Sequence, residues 1–254
     1  MEKSINEFKK NGYCIFENDD LSSHKILSDS LCDSLGSNFD DLSDLHHLIP
    51  KSKLNESRLK SFSAINSLPE KNKIIFKQAK KFLFSLLGPD ISIQNKLNLS
   101  IQIPLDDSSL LPLHTDTISG ESAFEVVVWV PFTKAFESNS MYLLPINKSI
   151  EMMSKIQDYH DLGMQQMESD FQSYKKFVEI NSNQVLVFSP TLFHGNVVNE
   201  TSKTRVSINC RFKNIFSPES SNPERRLGTF YEVFNTSPLT DIALSYKDPY
   251  ISSL

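Results

Sequence analysis

One short segment of the sequence has residue types suited to metal binding, Leu113-His114-Thr115-Asp116. In an extended strand, residues two apart point to the same face, so His114 and Asp116 can share one ion. A further nitrogen ligand, His194, lies much later in the chain, directly between two predicted strands. Two histidines and one carboxylate, with coordination positions left open, form the ligand set of non-haem Fe(II) oxygenases. These three residues therefore predict a catalytic iron site.

Each part of this pattern also has a simpler interpretation. A His-x-Asp pair is short enough to arise by chance, and it could belong to a surface loop, because residues 106–109 and 119–120 around it are typical of turns. Taken alone, His194 could be a structural histidine beside Phe193. The context favours metal binding, because an alternating strand comes shortly before His114 and β-type sequence resumes around His194.

A fixed cation follows His194 in the strand predicted for residues 204–212. Arg205, Ser207, Asn209 and Arg211 alternate with apolar residues, so they share one face of that strand. A guanidinium beside a hydroxyl, as in Arg205 and Ser207, is suited to holding a carboxylate. If the strand is central, Arg205 needs an anionic partner. That partner is either a structural Glu or Asp or the carboxylate of a co-substrate, and the second choice suggests 2-oxoglutarate.

Composition excludes several other classes of protein. The chain has 254 residues and a formal net charge of −5, without a basic stripe, so nucleic acid is not an expected partner. Its 7 glycines form no phosphate-binding loop. The 3 cysteines are too few and too dispersed for a disulfide framework, which indicates a reducing compartment. Neither a signal peptide nor a membrane-length apolar run is visible, so we expect a cytoplasmic protein that binds no membrane.

The order of the predicted elements indicates a single, mainly β domain over residues 1–254. Helices are predicted over residues 5–10, 21–35 and 69–87, and strands over 13–16, 91–93, 97–103, 124–132, 141–145, 185–188, 191–198 and 204–212. Residues 39–66 read as loops with one helical turn. Such a pattern favours an antiparallel sandwich or jelly roll, with a helical N-terminal part to about residue 88 and a β core over about 91–235.

Two further features of the chain lie outside the predicted metal site. Residues 150–177 form a methionine-bearing helical insertion, broken near Gly163, which is either ordinary cover for the core or a substrate lid. The pair His46-His47 is interpreted as a surface pair, because no third metal ligand is evident in the sequence around it.

Several blocks, specific as a set although none is so alone, are typical of one family: His114-Thr115-Asp116-Thr117, Ser119-Gly120, Phe124-Glu125-Val126-Val127-Val128-Trp129, Ser140-Met141-Tyr142, His194-Gly195-Asn196, residues 204–213 and residues 227–232. With these blocks, residues 97–235 resemble the Fe(II)/2-oxoglutarate-dependent oxygenases of the phytanoyl-CoA hydroxylase-like type. Within that type, the sequence is most similar to a bacterial subgroup from sporadically distributed carbohydrate-biosynthesis gene clusters.

The resemblance implies a double-stranded β-helix that holds iron through His114, Asp116 and His194. It implies that Arg205, helped by Ser207, pairs with the far carboxylate of 2-oxoglutarate, with Gln102 as a further contact. With O2, the enzyme would form succinate and carbon dioxide and hydroxylate a small molecule, such as a sugar or a nucleotide-linked sugar. Five residues near these positions are candidates for substrate contacts: Thr117, Glu125, Trp129, Asn196 and Arg211.

Two other functions use the same residues differently. A non-oxidative, cupin-like sugar isomerase or binding module could hold a metal through the same three ligands, but it would not need Arg205. A member of the family that has lost activity and acts structurally would need neither the metal nor the co-substrate.

Overall fold

A computed structural model of the chain describes residues 1–36 and 41–246. The helices in this part of the chain are α1 (Glu2–Asn11), α2 (Leu21–Leu35), α3 (Leu54–Ser67), α4 (Lys71–Lys77), α5 (Lys80–Leu87), α6 (Ile146–Ser154), α7 (Asp158–Leu162), α8 (Met164–Phe171) and α9 (Pro238–Ser245). The strands are β1 (Tyr13–Glu17), β2 (Ile91–Gln94), β3 (Asn98–Gln102), β4 (Glu125–Pro131), β5 (Tyr142–Leu143), β6 (Lys176–Phe177), β7 (Gln184–Phe188), β8 (His194–Gly195), β9 (Arg205–Asn214) and β10 (Tyr231–Asn235).

The strands form two antiparallel sheets. The larger sheet has the order β1-β7-β4-β9-β2-β10, and β3 pairs with another part of the long strand β9. The smaller sheet has the order β6-β5-β8. Two antiparallel sheets with helices outside them form a jelly roll, so the predicted fold class is confirmed. The N-terminal strand β1 also belongs to the large sheet, next to β7, so the β core includes a strand from the predicted helical part.

Strand β4 lies between the two halves of the hydrophobic core. Val126, Val128 and Val130 point to one side, where they pack in a cluster with helix residues such as Phe82. Val127 and Trp129 point to the other side and belong to a cluster with residues of the small sheet. Because successive side chains of a strand point to opposite faces, burial on both sides explains why this segment is almost continuously apolar.

The prediction of one helix over residues 69–87 is wrong, because the structure has two helices with a break at Gln78 and Ala79. Gln78 is fully buried there, and its side-chain oxygen accepts a hydrogen bond from Asn18 Nδ2 at 2.7 Å. Its backbone oxygen accepts another from Asp19 N at 3.0 Å. These contacts connect the helical pair to the segment that follows β1, and helical periodicity alone does not reveal them.

The stretch predicted as loops with one helical turn contains the 14-residue helix α3 as well as short 3₁₀ turns. Its start, Phe39 and Asp40, lies outside the described residues. The helix was missed because its buried face is narrow, with only Leu54, Ser61 and Ile65 buried. It packs on α2, where the Ser61 and Ser34 hydroxyls lie 2.8 Å apart.

The helical insertion predicted over residues 150–177 contains most of α6 together with α7 and α8, with Gly163 between the last two at a φ of 88°. Its last two residues are not helical, because they form strand β6, which pairs with β5. Met152, Met167 and Phe171 form a buried cluster with Tyr142 and Phe193 of the core. The insertion therefore covers the small sheet with apolar side chains.

Candidate active site

The two candidate histidine ligands are held side by side by backbone pairing. His114 N donates to His194 O at 3.0 Å, and His194 N donates to His114 O at 2.8 Å. The centres of the two imidazole rings are 4.3 Å apart. This pairing joins the segment before Asp116 to the short strand β8, so residues far apart in sequence lie at one point.

Each imidazole presents the same nitrogen to a common point. His114 Nδ1 hydrogen-bonds to Pro112 O at 2.7 Å, and His194 Nδ1 hydrogen-bonds to Leu192 O at 2.8 Å. A carbonyl can only accept, so both Nδ1 atoms donate, and in each ring Nε2 is the nitrogen that is left to coordinate a metal. Asp116 Oδ1 lies 3.8 Å from each Nε2. Two imidazole nitrogens and one carboxylate oxygen that converge on one point fit a divalent transition metal.

Protonation of two of these groups also suits metal binding. Burial lowers the pKa of His194 to about 4, so this imidazole is neutral at physiological pH. Burial alone would raise the pKa of Asp116, but the Arg211 guanidinium outweighs that effect and lowers it. Neither His194 nor Asp116 therefore needs to lose a proton when it binds a metal near pH 7.

A row of polar side chains lies on one face of the paired strands β3 and β9. Ser100 pairs across the strands with Ser207, and Gln102 pairs with Arg205. Arg205 Nη2 donates to Ser100 Oγ at 2.8 Å, and the guanidinium centre lies 5.8 Å from the ring centre of Trp129. The sequence-predicted co-substrate residues are thus brought together.

Arg205 is buried without a counter-charge. It is 3% exposed, and no carboxylate among the described residues pairs with it. Burial lowers the pKa of Arg205 to about 10, and no neighbouring anion offsets this. Three buried polar atoms in this row have no hydrogen-bond partner within the described structure, namely Arg205 Nε, Ser207 Oγ and Gln102 Oε1. An uncompensated buried cation is costly, so this environment favours binding of an anion.

Two adjoining cavities meet at the candidate metal site. The larger has a volume of about 600 Å³ and is bordered by His114, Asp116 and His194. The smaller, of about 70 Å³, extends from His194 to Arg205. Asn209 borders both cavities, between the metal ligands and the buried arginine. The described lining of both cavities contains no residue of the helical insertion.

The five candidate substrate residues occupy different positions. Trp129 and Asn196 border the smaller cavity, and Arg211 borders the larger one. The Asn196 amide holds the loop that comes before His114. Its Oδ1 accepts a hydrogen bond from Leu111 N at 2.6 Å, and its Nδ2 donates one to Ser109 O at 3.0 Å. Thr117 and Glu125 are outside both linings, and Glu125 instead accepts a 2.7 Å hydrogen bond from a tyrosine hydroxyl.

Several residues that border the larger cavity were not singled out from the sequence. Glu121 is 7% exposed, and its Oε1 lies 3.1 Å from Arg225 Nη1. Asn98 Nδ2 donates to Asn209 Oδ1 at 2.9 Å across strands β3 and β9. The two asparagines could have been found from the sequence, because polar and apolar residues alternate in both strands. Glu121 and Arg225 lie in segments without such an alternation, so their sequence gives no indication of their position.

The structure also brings a third ligand to the His46-His47 pair. Asp44 lies in the same 3₁₀ turn, and its carboxylate and the two imidazoles are close enough for one ion. However, Asp44 Oδ1 is already ion-paired with Lys203 Nζ at 2.8 Å, and His47 is exposed. The interpretation of a surface histidine pair is therefore kept.

The fold is similar to those of several proteins of known structure, one of which is a non-heme monooxygenase. HygX from Streptomyces hygroscopicus, with nickel and 2-oxoglutarate bound, aligns with a TM-score of 0.55 and 12% identity over 92% of this chain and 97% of its own. Apo ThoJ, a non-heme monooxygenase, aligns with a TM-score of 0.55 and 15% identity over 94% and 90% of the two chains. EvdMO1 has a TM-score of 0.55 and 14% identity over 84% of this chain and 49% of its own.

No family model matches the sequence, and no curated protein matches it significantly. The structural similarities therefore establish the jelly-roll fold, and the function has to be argued from the residues of the site. Among the described helices, none is both long and apolar enough to cross a membrane.

Proposed function

We propose that the protein is an Fe(II)- and 2-oxoglutarate-dependent dioxygenase that hydroxylates a small polar molecule. The observation that carries this proposal is Arg205, a buried cation without a described carboxylate partner, placed across a small cavity from His194. A metal-binding isomerase or binding module has no need for such a group. A dicarboxylate co-substrate supplies the missing counter-charge.

In this proposal His114, Asp116 and His194 hold Fe(II). The bound iron supplies the oxidising chemistry, in which O2 and 2-oxoglutarate give succinate and carbon dioxide while the second oxygen atom is inserted into a C–H bond of the substrate. The protein orients both organic molecules around the metal. HygX is a protein of this fold to which nickel and 2-oxoglutarate have been seen bound.

Arg205 and Ser207 hold the far carboxylate of 2-oxoglutarate. Arg205 Nε and Ser207 Oγ are buried donors without a partner among the described residues, as a site for a carboxylate requires. Gln102 is the weaker candidate, because its Nε2 already donates to Val197 O at 2.5 Å. Neither Gln102 nor Ser207 borders the small cavity directly.

The larger cavity favours a substrate with hydroxyl groups, in keeping with a sugar or a nucleotide-linked sugar from carbohydrate biosynthesis. Its three arginines already have acidic partners, Asp106 for Arg58, Asp116 for Arg211 and Glu121 for Arg225. Glu121 Oε2 and the paired asparagines can instead exchange hydrogen bonds with hydroxyls. The described lining of this cavity therefore favours the sugar part of such a substrate over the phosphates of a nucleotide-linked sugar.

A succinate-release assay tests the reaction class. We expect succinate formation that requires both Fe(II) and 2-oxoglutarate and that rises with one member of a panel of sugars, nucleotide sugars and simple metabolites. In a parallel anaerobic measurement with Ni(II), Arg205→Met should weaken 2-oxoglutarate binding at least about 30-fold, corresponding to about 2 kcal/mol. Methionine fills the volume of the arginine without a buried charge, so the variant should fold.

Arg226→Met is the matched control, because Arg226 hydrogen-bonds to Ser220 O and borders neither cavity. Its affinity for 2-oxoglutarate should equal that of the wild type. Unchanged binding in Arg205→Met would remove the co-substrate assignment. Wild-type protein that binds Fe(II) but whose metal site does not respond to 2-oxoglutarate would instead support the cupin-like alternative.

A further inference from the structure

Arg211 connects the candidate metal site to the middle of the large sheet. Its Nη2 lies 2.9 Å from Asp116 Oδ2. The other oxygen, Asp116 Oδ1, is the one that lies 3.8 Å from the Nε2 atoms of His114 and His194. The two oxygens of one carboxylate thus face different partners. We propose that Arg211 is a positioning residue that holds Asp116 as a one-oxygen metal ligand.

The Arg211 guanidinium contacts side chains of two other strands, and a third strand holds one of these side chains. Gln94 Oε1 of β2 accepts hydrogen bonds from Arg211 N at 3.2 Å and from Arg211 Nη1 at 3.3 Å. Glu125 Oε1 of β4 lies 3.5 Å from Arg211 Nε, and Glu125 Oε2 accepts a hydrogen bond from Tyr231 of β10 at 2.7 Å. The Arg211 side chain is only 13% exposed, so it has little freedom to move away from Asp116.

This arrangement has a chemical consequence for the metal. A carboxylate can bind a metal through one oxygen or two, and a second oxygen occupies a coordination position that the ligand triad otherwise leaves open. By engaging Oδ2, Arg211 keeps that position free. The inference rests on the proposed function, because chelation by 2-oxoglutarate and entry of O2 together need the positions that Asp116 leaves open.

Cobalt binding tests this role directly, since the visible absorption of Co(II) reports its coordination. In anaerobic titrations, Arg211→Met should bind Co(II) about 10- to 100-fold more weakly than the wild type, the usual range for loss of a group that orients a metal ligand. The visible spectrum of its Co(II) complex with 2-oxoglutarate should also change. Arg225→Met is the matched control, because Arg225 borders the same cavity but pairs with Glu121. It should keep the wild-type Co(II) affinity and spectrum.

Wild-type affinity and spectrum in a folded Arg211→Met variant would overturn the positioning role while leaving the proposed function intact. If wild-type protein binds no Co(II) at all, both the proposed function and the positioning role fail. If Arg211→Met does not fold, Arg211→Lys takes its place. Lysine keeps the charge but cannot contact Asp116 and Gln94 with two separate nitrogens, so the spectrum should still change, and an unchanged spectrum overturns the proposal.

Discussion

Arg205 and Arg211 lie on the same face of one strand, yet their surroundings give them different properties. Arg211 is matched by Asp116 at 2.9 Å and has Glu125 beside it, so its charge is balanced within the protein. Arg205 has Ser100 and Trp129 as neighbours and no described carboxylate partner. The arginine at position 211 is therefore suited to holding Asp116 in place, whereas the arginine at position 205 is suited to binding an anion.

Glu125 should make the stability of the metal-free protein depend on pH. Burial raises the pKa of Glu125 from 4.5 to about 7, although the hydrogen bond from Tyr231 acts in the opposite direction. The folded protein therefore binds this proton more tightly than the unfolded chain does. The stability gained in this way is fully present below about pH 4.5 and is lost as the pH rises through about 7.

The comparison is with Glu125→Gln, which keeps an oxygen acceptor for Tyr231 but cannot ionise. Between about pH 5 and pH 8, the unfolding free energy of the wild type should fall by about 1–3 kcal/mol relative to that of the variant. Urea denaturation of both metal-free proteins across this range measures the difference. If the unfolding free energies of the two proteins change with pH in parallel, Glu125 does not titrate in this pH range.

At the scale of elements, the short strand β8 determines where His194 lies. Gly195 follows the ligand directly, and a Cβ at this position would lie 2.6 Å from Tyr142 Oη and 2.8 Å from Leu111 O. The close approach of strand β5 and of the loop before His114 therefore requires glycine here. In Gly195→Ala, either the loop or β8 has to shift.

We expect Gly195→Ala to destabilise the protein by about 1–3 kcal/mol, as overpacking usually does. Its affinity for Ni(II) should fall as well, because the two imidazoles are positioned by this backbone pairing. Thermal unfolding and Ni(II) titration measure the two effects separately. A variant with wild-type values in both measurements would show that the loop accommodates the methyl group without cost.

The sequence predicted the elements with strong periodicity well. Strict alternation in β3 and β9 placed Arg205, Ser207 and Asn209 on one polar face, and the long apolar run identified β4. The break at Gln78 was not predictable, because it depends on hydrogen bonds to a distant segment. Helix α3 was missed because tertiary packing, more than its own pattern, specifies it.

The candidate site was predictable only in part, for a similar reason. Ligand type and spacing pointed to His114, Asp116 and His194, which the structure brings together. The role proposed for Arg211 depends on Gln94, Glu125 and Tyr231, which come from three other strands. Whether an arginine is charge-paired is a property of the whole sheet and has no local sequence signal.

For the molecule as a whole, metal binding should stabilise the fold. His114 and Asp116 meet His194 only in the folded chain, so a metal that binds there favours folding. At a free Ni(II) concentration about 100 times the dissociation constant, the free energy of unfolding should rise by about 2.7 kcal/mol. For a protein of this size, that raises the melting temperature by about 5–10 °C.

Thermal melts with Ni(II) and with a chelator measure this shift. His194→Ala should abolish it, whereas His47→Ala, which alters the exposed histidine pair, should keep it. A shift that survives in His194→Ala but disappears in His47→Ala would place the stabilising metal at the protein surface.

The pairing of the short strands β5 and β6 has an evolutionary consequence. It closes the helices α6–α8 between them into a loop whose ends are held together by the backbone. The entropic cost of closing such a loop grows only slowly with its length. This segment can therefore be lengthened, shortened or exchanged between lineages, provided that apolar side chains still cover Tyr142 and Phe193. A new outer surface can be acquired in this way while His194, on the strand β8 that pairs with β5, keeps its position.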